Sequence, residues 1–136
     1  AEALHLREEL KCVPAEVDRE KQLRYWDLMG KGDHYCKIDL DEPPVQLSDK
    51  IHKSVWGEAM EMRESGQLLE TVSQIECPVI ALHGANDPHP AWAVRDPLSQ
   101  RLTEFRFELI EKCGHEPWRE KYAREPFKEM LLQAVR

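Results

Sequence analysis

The chain has 136 residues, 41% of them apolar and 33% charged, with no low-complexity tract, which excludes a disordered or fibrous protein. Nineteen basic against 26 acidic side chains leave a formal charge of −7, and no Lys/Arg cluster is interleaved with aromatics, so net repulsion excludes a nucleic-acid partner. The longest apolar runs, such as Val79 to Leu82, fall far short of the roughly 20 residues that cross a bilayer.

Cys12, Cys36, Cys77 and Cys113 form no Cys-x-x-Cys pair, and no basic-then-apolar signal segment opens the chain. Free thiols in a reducing cytoplasm are the expectation. Ala1 reads either as a processed start or as the edge of a truncation.

In chain order, Pro14 opens a polar-rich helix through Met29, with Val17, Leu23, Tyr25, Trp26, Leu28 and Met29 as its apolar content and Gly30 as its stop. The charges of Arg7, Glu8 and Glu9, and those of Asp18 to Lys21, read as a solvated face. Residues 32–45 contain Asp33, Asp39, Asp41 and the pair Pro43 and Pro44, which remove two backbone donors, so this stretch is a connecting loop. Ser48 then caps a helix running to Ser65, with Ile51, Val55, Ala59 and Met62 at helical spacing, Trp56 and Met60 beside them, and Gly66 after its end.

Beyond Leu68 the pattern alternates. Val79 to His83 is a short apolar run between Pro78 and Gly84, suited to a buried parallel strand. A turn over Ala85 to Pro90 leads into a helix from Ala91 to Leu102, kinked or broken at Pro97. Phe105 to Ile110 is a second strand, with Phe and Leu on one face. The spacer is long enough for a parallel crossover, so strand, helix and strand form a βαβ unit. A turn at Cys113 to His115 precedes a last helix from Glu125, with Pro126 at its start and Phe127, Met130, Leu131 and Val135 on its buried side.

In an open parallel sheet, reactive groups collect in loops beyond the carboxyl ends of the strands. Asp87 follows the first strand and His115 the second. Adjacent strands would bring a carboxylate to one imidazole nitrogen, fixing the tautomer that lets the other nitrogen act as a base. Each residue has a plainer reading, Asp87 as an Asn-Asp-Pro turn former and His115 as a surface histidine. Their joint order and spacing favour the pair. His83, His89 and His115 with Asp87 and Cys113 also invite a metal reading, but no His-Glu-x-x-His or Cys-x-x-Cys spacing supports it, and no metal is expected. Cys113 reads as a packed thiol.

The run CPVIALHGANDPHP from Cys77 to Pro90, followed by FELIEKCGHEPW from Phe107 to Trp118, resembles the C-terminal signature of the α/β-hydrolase superfamily: strand, Gly-x-x-Asp, helix, strand, Gly-His. The resemblance covers residues 71–136 and implies an α/β fold, the C-terminal portion of an α/β-hydrolase core. Residues 1–70 resemble the helical cap that such enzymes insert. It further implies Asp87 as the acid and His115 as the general base of a nucleophile, histidine and acid triad. Ser48, Ser54, Ser65, Ser73 and Ser99 all lack the Gly-x-Ser-x-Gly elbow, so the nucleophile is expected outside these residues, leaving the chain inactive alone.

The implied substrate is a small-molecule ester or amide, with no cofactor. Trp56 and Met60 would line a substrate pocket beneath the cap or, as is commoner for such stripes, belong to helix core. Trp118 would wall the site's mouth or pin the last helix. A catalytically dead half-hydrolase, binding a partner through its cap helices, is the rival expectation. Two strands alone also leave an open edge, which predicts self-association.

Overall fold

The computed structural model describes residues 19–40 and 48–135. The expected helix start at Pro14, Val17, Cys12, the charges at Arg7 to Glu9 and at Asp18, Asp41 and the Pro43 and Pro44 pair lie outside them.

Among the described residues the fold is mixed α/β, with five α-helices and one two-stranded parallel sheet. Helix α1 spans Arg19–Gly32. It runs past Gly30, because a glycine inside a helix costs only about 1 kcal/mol and does not by itself stop one. Helix α2, Asp49–Glu64, starts where Ser48 accepts a hydrogen bond from the Ile51 N–H at 3.4 Å. It ends at Ser65, and Gly66 then takes the left-handed φ of 80° that a side chain would resist. A short helix α3, Gln67–Val72, follows directly and was not expected from the sequence pattern.

Strand β1, Val79–Gly84, pairs in parallel with β2, Phe105–Ile110, from Val79 against Phe105 to Gly84 against Ile110. Helix α4, Ala91–Ser99, makes the crossover and packs on both strands and on α3. Pro97 lies inside α4, which ends two residues later rather than at Leu102. A 3₁₀ turn, Pro117–Arg119, precedes helix α5, Arg124–Ala134, whose first turn accommodates Pro126 because its donors have no intrahelical partner.

The core joins Ile110, Cys113 and Ala123 to Leu82, Phe127 and Met130. Side chains alternate across a strand, so Leu82 and Ile110 share one face of the sheet while Phe105, Phe107 and Leu109 occupy the other. Phe105, Phe107 and Leu109 thus share one face of β2, as expected; Phe105 and Phe107 are half-buried and Leu109 exposed, while Ile110 on the other face is buried. The expected buried side of α5 is corrected in part. Phe127 and Met130 face the core, whereas Leu131 is exposed and Val135 is 80% exposed near the helix end. Cys36, Cys77 and Cys113 are free thiols. Burial, with the charges of Glu120 and Asp87, pushes the Cys113 thiol up to about 11, which fits packing rather than nucleophilic use.

Candidate active site

The loops following β1 and β2 touch backbone to backbone. A Cβ on Gly84 would run into the Gly114 and Cys113 carbonyl groups, so glycine is required there for the approach itself. The contact is sealed by the Ala85 N–H donating to the Ile110 carbonyl at 2.9 Å and the Asn86 N–H to the Cys113 carbonyl at 2.8 Å. Lys112, at φ 53°, supplies the left-handed turn after β2.

This seam brings Asp87 and His115 together. Asp87 Oδ2 accepts from His115 Nδ1 at 2.8 Å, and Oδ1 accepts from the His89 backbone N–H at 2.7 Å and from His89 Nδ1 at 2.9 Å. The Asp87 side chain is only 6% exposed. Burial pushes its carboxyl up, but the His89 N–H, the hydrogen bonds from both rings and the His115 charge together outweigh burial, holding it below the usual carboxylate value.

His115 is 51% exposed, and its backbone N–H donates to the Asp33 carbonyl at 2.6 Å. With Nδ1 committed to Asp87, Nε2 is the nitrogen left to exchange a proton. Among the described residues no serine or cysteine bonds to it; Ser48 and Ser65 serve helix caps, and the Ser99 hydroxyl donates to the Asp96 carbonyl.

Beneath the pair lies a device absent from the sequence reading. Glu120 is fully buried, and its carboxylate accepts from three backbone N–H groups: Tyr35 at 2.6 Å, Cys36 at 2.7 Å and Gly114 at 2.9 Å. The Ile38 N–H donates to the Arg119 carbonyl and the Lys121 N–H to the Cys36 carbonyl, so residues 33–38 strap the His115 loop from below. His34 joins the strap, with Nδ1 on the Gly30 carbonyl and Nε2 on Glu116 Oε2, each at 2.8 Å. An acidic residue within the charged run Arg119 to Lys121 reads as solvated, and no sequence signal marks Glu120 as buried.

Trp56 and Met60 are exposed on α2, which packs chiefly on α3 rather than on the strands bearing Asp87 and His115. Trp118 lies on Phe127 of the last helix, with ring centroids 6.2 Å apart, and is itself about half exposed. A surface hollow of about 570 Å³ opens between α1 and the strap, lined by Trp26, Lys31, His34, Tyr35 and Lys37, away from Asp87.

From sequence alone, His89 enters only as a member of a possible metal set. Its ring lies 5.1 Å from that of His115, and donor atoms of Asp87, His89 and His115 lie within 4.8 Å of one another. His83 and Cys113 do not join this cluster: His83 Nε2 donates to the His89 carbonyl at 3.0 Å, and Cys113 is in the core. No family model, curated protein or solved structure matches the chain.

Proposed function

We propose that the chain is the C-terminal portion of an α/β-hydrolase core with its helical cap, supplying the acid and the histidine for hydrolysis of an ester, amide or related acyl bond. The nucleophile, a serine on a Gly-x-Ser-x-Gly elbow, comes from residues outside these 136. His115 Nε2 takes the serine proton as the hydroxyl attacks the acyl carbon and returns it to the leaving group. Asp87 holds Nδ1–H and stabilises the imidazolium that forms. The same base then activates water to release the acid, and no cofactor enters. The single observation that supports this reading is the 2.8 Å bond from His115 Nδ1 to a carboxylate that is itself buried and doubly held by His89.

The rival reading, a non-catalytic module that binds a partner through its cap helices, draws support from α2, where Ile51 is 65% and Val55 59% exposed at adjacent turns. Under either reading, the open edges of β1 and β2 favour self-association, measurable by sedimentation. A reducing cytoplasm suits the free thiols.

Expressing the reading frame with the residues that precede Ala1 separates the two. A serine-reactive fluorophosphonate is expected to label the extended protein, with the rate falling at least about 100-fold on His115→Ala. Labelling of the 136-residue chain alone, or labelling indifferent to His115→Ala, overturns the hydrolase reading.

A further inference from the structure

Asp87, His89 and His115 hold one carboxylate and two imidazoles above the end of the sheet, their donor atoms within 4.8 Å of one another. We propose that these three side chains form a binding site for a divalent transition-metal ion of the zinc type.

The donor set selects the class of ion. Two imidazoles and a carboxylate suit Zn²⁺ and its neighbours, whereas Mg²⁺ and Ca²⁺ take oxygen donors throughout. Donors on one tetrahedral zinc lie about 3.3 Å apart, given bonds of about 2.0–2.1 Å, so closing around an ion requires a movement of little more than about 1 Å. The rings of His89 and His115 are half-exposed or more, free to swing that far and open to a water as fourth ligand.

The rest of the site is already fixed. The Asp87 N–H donates to the Gly84 carbonyl, His83 holds the His89 carbonyl, and the His115 N–H is tied to Asp33. Each ring now donates Nδ1–H to Asp87; with metal on Nδ1, that proton moves to Nε2 and the ring stays a neutral ligand. The sequence spacing conceals the site because its donors come from two loops 28 residues apart. Resting on the proposed function, the consequence is inhibition: metal on His115 Nδ1 breaks the bond to Asp87 and leaves Nε2 protonated, without its base.

The test titrates the 136-residue chain, carrying Cys77→Ser to remove the exposed thiol, with zinc chloride by calorimetry. One ion per chain is expected, bound at least about ten-fold more weakly after His89→Ala. His89→Gln, whose side-chain amide can still donate to Asp87 Oδ1, repeats the measurement where Ala loosens the loop. In ¹⁵N spectra the Nδ1 resonances of His89 and His115 are expected to shift together. No saturable binding at millimolar zinc, or an affinity in both His89 variants equal to that of the parent chain, overturns the site. The His115 Nδ1 proton in the zinc-free protein reports the bond to Asp87 separately: its presence without zinc binding sinks the metal site alone, and its absence sinks the catalytic pair.

Discussion

All the residues that are buried among those described lie between His83 and Ala123, while α2, with its regular apolar stripe, buries none of its described side chains. The first region is fixed by backbone meeting backbone at Gly84 and Gly114 and by Glu120 collecting three amide donors. The second has apolar spacing, a serine cap and a left-handed glycine after its end, yet among the described residues it packs chiefly on the short α3. Local signals make a helix; they do not make it buried, because burial needs a partner face.

The largest break in that contrast is expected from Glu120→Ala. It leaves three backbone donors without their acceptor at about 1–3 kcal/mol each, so urea unfolding should register a loss above about 3 kcal/mol. A loss below about 1 kcal/mol would mean that water replaces the carboxylate and that the strap over residues 33–38 is incidental.

Gly114→Ala comes next. Its Cβ would meet the Asp33 backbone and Glu120, and the forced shift should cost about 1–3 kcal/mol and weaken hydrogen-exchange protection at His115.

Asp87→Asn should cost about 1–2 kcal/mol at neutral pH through the bonds from His89 and His115. The Asp87 carboxyl is held below its ordinary value, so its contribution is fully present above the unfolded carboxylate pKa and is lost as pH falls through the lower folded value. Urea midpoints of the parent and the variant should therefore converge in acid. Midpoints that stay equally separated would assign the stabilisation to another group.

The smallest effect sharpens the comparison from the other side. Ile51→Lys or Val55→Lys on α2 should change stability by under about 0.5 kcal/mol in thermal unfolding. A loss of about 2 kcal/mol would reveal a covered face and bring the two regions closer in kind.

Much of this architecture is legible in the residues. Pro78 and Gly84 bracket β1, Ser48 and Gly66 bracket α2, and the long spacer to Phe105 requires a crossover. The meeting of Asp87 with His115 follows from parallel adjacency, since both loops leave the same end of neighbouring strands. Less legible are the features that depend on which face is covered. The alternation of β2 puts Phe105, Phe107 and Leu109 on one face, but only the packing buries Ile110 on the other. The last helix leaves Leu131 and Val135 exposed, while Phe127 and Met130 reach the core.

Sequence alone determined the order of the longer elements, though not the short α3 or the 3₁₀ turn, and the two loops from which the candidate site grows, because turn residues, apolar runs and spacer lengths act over a few positions of chain. Tertiary structure alone decided that Glu120 lies buried under residues 33–38, that Trp118 packs on Phe127, and that His89 joins Asp87 and His115. The reason is that hydrogen-bond partners distant in sequence are chosen by how surfaces close, and a charged or aromatic residue carries no local mark of the surface that will receive it.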